Sequence, residues 1–155
     1  MDSNKDDLYK FVDVSKKINS SDYIEEELQD KVLLNNNQYE KFFNITYKAE
    51  KYRPWKRKII KITNPVENSS IHRMFFGASN LEINGNQFFV PRPSQYMIAA
   101  NKAGQTFKLK KGNKFLFYWQ HPFHNVRVSF KATLILGLIS IILGVIAIII
   151  TIILG

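Results

Sequence analysis

The stretch TLILGLISIILGVIAIIITIILG, residues 133–155, holds no charged side chain, and its only hydroxyls belong to Thr133, Ser140 and Thr151. A helix of this length rises about 34 Å, slightly more than a hydrocarbon core of roughly 30 Å. Soluble core helices rarely run so far without a charge, so the segment reads as a transmembrane helix. It lies at the wrong end for a secretory signal, and the opening residues MDSNKDDLYK contain no apolar run. The expectation is a single-pass tail anchor inserted after translation. Lys114, Arg127 and Lys131 flank it, and by the positive-inside rule the N-terminal domain stays cytoplasmic.

Within the segment the small residues Thr133, Gly137, Ser140, Gly144, Ala147, Thr151 and Gly155 recur in steps of three and four. That spacing places them on one stripe of the helix, with bulky Ile and Leu elsewhere. Helices in lipid associate through close backbone approach, so Gly137, Ser140, Gly144, Ala147 and Thr151 are the candidate helix-packing residues. The expected partner is a second copy or another transmembrane helix.

Upstream of residue 133 the chain is short enough for one domain plus an attachment. With no cysteine there is no disulfide framework, thiolate metal site or thiol nucleophile. The net charge of +9 is unevenly placed. Residues 1–30 carry nine acids and four lysines, whereas residues 31–155 carry four acids and 18 bases. An acidic N-terminal region thus precedes a basic body.

The acidic region reads as helical. Leu8, Phe11, Val12 and Ile18 loosely share a helical face over residues 4–18. Asp22 and Glu25 have capping-box spacing ahead of Ile24, Leu28 and Val32, and Asn35–Asn37 would end that second helix. The next stretch, residues 38–52, fits either helix or strand. From Lys56 onward short β-like runs alternate with turn signals. The expected strands are 58–63, 71–76, 87–90, 96–99, 105–110 and 114–119, with residues 110–114 as a tight hairpin. The expected fold is α+β: N-terminal helices, a small β-barrel-like domain and one C-terminal transmembrane helix. Its divisions are an acidic helical region at 1–55, a basic β domain at 56–121, a juxtamembrane segment at 122–132 and the transmembrane helix at 133–155.

Two motifs carry a family resemblance. The run IIKITNPVENSSIHRMFFG (residues 59–77), with Asn68 to Arg73 as a turn and strand, is followed by TFKLKKGNKFLF (residues 106–117), with Leu109 to Phe115 as a glycine turn. The pair resembles the strand pattern of cradle-loop barrels, the group of double-psi and AbrB-like domains. Asn113 stands where that pattern often has aspartate. The resemblance implies a closed barrel over residues 59–117; because the group holds enzymes and binding modules alike, it implies no activity.

Catalytic chemistry finds no foothold. No nucleophile elbow, Walker loop or dinucleotide fingerprint is present. His121 and His124 flank Pro122 without a carboxylate or thiolate nearby, and two imidazoles do not make a stable zinc site. Neighbouring strand residues point to opposite faces, which separates His72 from Arg73. We therefore expect no catalytic residues, metal or cofactor.

The basic clusters are more informative. Lys51, Arg53, Lys56, Arg57, Lys58 and Lys61 interleave with Tyr52 and Trp55, and Lys102, Lys108, Lys110, Lys111 and Lys114 form a second group. Their candidate partners are anionic lipid headgroups, a phosphate-bearing ligand or nucleotide, and the chain's own acidic arm; nucleic acid is not an expected partner. Trp119, Phe123, Arg127 and Lys131 suit the membrane interface, where aromatic rings and bases sit at headgroup level. The expected function is a membrane-tethered binding or adaptor module that oligomerises through its anchor. The alternative is a signal-activated pore-forming or membrane-disrupting effector, as in bacterial immunity.

Overall fold

The computed structural model describes residues 8–13, 28–44, 58–78 and 81–154. Six strands close into a barrel: β1 (Leu8–Phe11), β2 (Lys31–Leu34), β3 (Ile59–Asn64), β4 (Ser69–Gly77), β5 (Gln87–Phe89) and β6 (Thr106–Lys111). Around the barrel they run β1-β5-β2-β4-β3-β6. Closure leaves no unpaired sheet edge, which suits a domain with such short strands. β1 is parallel to β5 and β2 is parallel to β4, while the remaining neighbours are antiparallel. Among the described residues four helices accompany the barrel: α1 (Asn36–Phe43), α2 (Arg92–Ile98), α3 (Lys114–Trp119) and α4 (His124–Leu154).

The expected barrel is present, but two of its strands come from the region read as helical. Leu8, Phe11 and Val12 suggested helical spacing, yet in β1 Tyr9 and Phe11 are buried while Leu8 and Lys10 are exposed, a period of two. In β2, Val32, Leu33 and Leu34 are all fully buried, as in a strand covered on both faces. The expected N-terminal helices are therefore corrected at residues 8–13 and 31–34; residues 4–7 and 14–27 of those expected helices lie outside the described residues. Asn35–Asn37 start a helix rather than end one. The Asn35 side chain accepts the Asn37 amide at 3.0 Å, an N-cap, and donates to the Ile83 carbonyl at 3.0 Å.

β3, β4, β5 and β6 fall where alternation placed them. Two other expected strands are helices. Residues 96–98 belong to α2 and Ala99 is its C-cap; Pro91 and Pro93 occupy the N-cap and first turn, where a missing N–H costs little. Residues 114–119 form α3, because Asn113 caps it by accepting the amides of Phe115 at 2.7 Å and Leu116 at 3.4 Å. The expected hairpin at 110–114 is accordingly a strand-to-helix turn.

The core gathers Tyr9, Phe11, Ile60, Ile62, Ile71, Phe88, Phe107 and Leu109 from the strands, with Tyr39 and Phe43 of α1 packed on Phe75. Asn64 ties the β3–β4 turn to α2. Its Oδ1 accepts the amides of Val66 and Glu67, and its Nδ2 donates to the Ile98 carbonyl at 2.8 Å.

Gly112 approaches β3 closely. Its amide donates to the Ile59 carbonyl at 2.7 Å, and a Cβ there would meet Ile59 Cγ2 at 2.7 Å and the β3 backbone at 2.9 Å. Gly112→Ala should therefore destabilise the barrel by about 1–3 kcal/mol through overpacking against backbone. The check is a lowered Tm of the detergent-solubilised protein by circular dichroism.

Candidate membrane-proximal site

α4 has 31 residues, so it rises about 46 Å, and none of them is buried. It is the one helix among the described residues long and apolar enough to cross a membrane. Gly137, Ser140, Gly144, Ala147 and Thr151 are all exposed along it. A Cβ at Gly137 or Gly144 would meet nothing within 4 Å, and Ser140 and Thr151 bond back to the Leu136 and Ala147 carbonyls at 2.9 Å. The hydroxyls are thus satisfied within their own helix.

The first turns of α4 pack on α3, with only Gln120 to Phe123 between the two helices. Phe130 meets Phe115 edge-on at 5.4 Å and stacks on Tyr118 at 5.4 Å. Lys131 Nζ lies 4.4 Å from the Trp119 ring centroid, a cation–π contact, and Trp119 stacks on Phe115. Of the residues expected at an interface, Trp119 and Lys131 are therefore in direct contact. Phe123 packs on His121 at the elbow, and the Arg127 amide closes the first turn of α4 onto the Phe123 carbonyl.

Beneath the elbow lies a buried polar cluster that hydropathy patterning missed. Arg73 of β4 is fully buried. Its Nε donates to Ser94 Oγ at 2.6 Å, and Nη1 donates to the carbonyls of His72 at 2.8 Å and Gln120 at 3.3 Å. Nη2 lies 3.2 Å from Met97 Sδ. One guanidinium thus holds α2 and the end of α3 against the barrel. Burial pulls its pKa down to about 10, partly offset by the charge of Asp30, so it remains a cation near neutrality.

His72 is paired across β3 with Lys61, and Arg73 with Ile60, in keeping with their expected opposite directions. Both nevertheless reach Gln120, since His72 Nδ1 lies 3.1 Å from its Oε1. His121 is also buried. Its Nδ1 accepts the Phe123 amide, which leaves the proton on Nε2, 3.6 Å from Asp30 Oδ2. Asp30 also pairs with Lys31 at 3.2 Å. His121 is thus turned into the fold while His124 is exposed at the start of α4. The available sequence signal was an arginine and a histidine inside an otherwise apolar strand.

The lysines fall into separate places. Lys51, Arg53, Lys56 and Arg57 lie outside the described residues. Lys61 and Lys110 are direct cross-strand partners on β3 and β6, while Lys108 pairs with Thr63 and with Leu8. Like charges directly opposite one another are unfavourable, so this register concentrates positive charge at a cost. Lys58 and Lys111 approach the Phe43 ring at 5.5 and 6.0 Å. Lys114 is exposed at the start of α3.

No family model matches this chain, and no curated protein matches it either. What defines it is the joining of a closed six-stranded barrel to an apolar helix through a short aromatic elbow.

Two outcomes follow from the cluster. Arg73→Met would strip donors from Ser94 and two carbonyls, each costing about 1–3 kcal/mol if left unpaired; chemical denaturation should show a clear loss of stability. His72 is held below its ordinary 6.5, first by burial and then by Lys61 and Arg73, against the opposing bond to Gln120. The unfolded chain therefore binds a proton that the folded one resists, and stability should fall as pH drops below 6.5 toward the folded value. His72→Asn keeps a donor for Gln120 and should flatten that part of the stability–pH curve.

Proposed function

We propose that this is a single-pass, C-terminally anchored membrane protein whose cytoplasmic barrel acts as a binding or adaptor module at the bilayer surface, and that it assembles through the small-residue stripe of α4. The observation that carries this reading is the elbow. Phe115, Tyr118 and Phe130 interlock, Lys131 covers Trp119, and only four residues separate α3 from α4. A long flexible linker would let a domain sample many orientations; this junction favours a restricted one. The exposed bases Arg92 and Lys114 support an anionic partner, a lipid headgroup or another phosphate-bearing group.

The full-length chain should remain in the membrane pellet after alkaline carbonate extraction, with an N-terminal tag protected from protease in intact cells. Native mass spectrometry should report more than one copy, and Gly144→Ile should reduce that number. Release of the protein by carbonate would remove the anchoring reading, and an unchanged copy number would remove the stripe. Dye leakage from reconstituted liposomes would favour a pore-forming effector instead.

A further inference from the structure

α2 and α3 share an unusual arrangement for short surface helices. In α2 the buried residues are Ser94 and Ile98, while Arg92, Pro93, Tyr96 and Met97 face outward. Tyr96 is 80% exposed and Met97 43%. In α3 only Phe117 is buried, and Phe115, Leu116 and Trp119 face outward behind Lys114. Each helix begins with a base and presents an apolar or aromatic outer face, the reverse of what water favours.

The two helices are neighbours. Both pack on β4, and the Arg73 guanidinium touches Met97 with one nitrogen and the Gln120 carbonyl with the other. α2 and the end of α3 are thus joined through one guanidinium, close to the elbow from which α4 departs. Charge adds a second, independent observation. No acidic residue follows Glu82, whereas eight bases do, including Arg92, Lys114, Arg127 and Lys131.

We infer that the outer faces of α2 and α3 form a second membrane-contact surface, on which the barrel lies against an anionic bilayer. Tyr96, Met97, Leu116 and Trp119 enter the headgroup–acyl boundary, while Arg92 and Lys114 meet lipid phosphates. The occupant is a bilayer because α3 packs directly on the foot of the apolar helix, and the two outer faces combine apolar side chains with bases alone, the pattern of an interfacial helix face. The inference rests on reading α4 as a span and adds to it the side on which the barrel lies.

The chain has no cysteine, so a single introduced thiol can carry a fluorophore without background. The test labels Tyr96→Cys and, separately, Leu8→Cys with an environment-sensitive nitrobenzoxadiazole. Leu8 is an exposed β1 residue, and β1 packs on β5 and β6. Each full-length protein is reconstituted into phosphatidylcholine vesicles with or without phosphatidylglycerol. The expected result at position 96 is blue-shifted emission, quenching by nitroxide lipids and loss of iodide quenching, all stronger with the anionic lipid. Position 8 should stay solvent-like. Arg92→Glu combined with Lys114→Glu should abolish the dependence on anionic lipid.

Equal iodide access at both positions, in protein that still resists carbonate extraction, would overturn this surface and leave the span intact. Shielding at position 96 without nitroxide quenching would mean that protein covers it, which also overturns the proposal. Protein extracted by carbonate would remove span and surface together.

Discussion

The structure turns on one buried cation. Removing a guanidinium from water costs several kcal/mol unless its donors are well placed. Arg73 has a hydroxyl, two carbonyls and a thioether around it, and those acceptors come from β4, α2 and the residue that ends α3. Displacing either helix would leave N–H groups unpaired in a dry site, where the full desolvation cost returns. The position of two short helices is thus fixed by charge as well as by apolar packing. α4 inherits that position, because four residues join it to α3 and the rings of Phe115, Tyr118 and Phe130 close the angle.

Much of the barrel was legible from local pattern. β3 and β6 alternate cleanly, with Ile60 and Ile62 buried beside Lys61 and Thr63, and Phe107 and Leu109 buried beside Thr106 and Lys108. β1 was not legible. A four-residue strand offers only two inward side chains, Tyr9 and Phe11, and the exposed Leu8 with the neighbouring Val12 masks their period of two. α2 and α3 failed for a different reason. Their aromatic and β-prone composition reflects an outward apolar face, whereas their starts are set by capping at Pro91 and Asn113. The apolar run of α4 announced itself, because a stretch without charge has few soluble explanations.

The polar cluster was illegible for a physical reason. Hydropathy assigns arginine, histidine and aspartate to the surface, and it is right for most of them. Arg73, His72, His121 and Asp30 are exceptions made possible by partners distant in sequence. Arg73 and Ser94 are 21 positions apart and Arg73 and Gln120 are 47, so no window of local pattern contains the whole set.

The proposed span gives the outward apolar helices a physical rationale. On a freely diffusing protein, exposing Tyr96, Met97, Leu116 and Trp119 to water would be an aggregation hazard. Beside an inserted helix the same side chains always have a bilayer within reach, and the loss of translational freedom has already been incurred by insertion. Each base near an anionic surface adds only about 1 kcal/mol, and for a domain tethered by the proposed span such small terms suffice. The short elbow strengthens the effect. A long linker would spread the barrel over many orientations and dilute every headgroup contact, whereas a junction held by Arg73 and Phe130 would present the same face to the proposed bilayer each time.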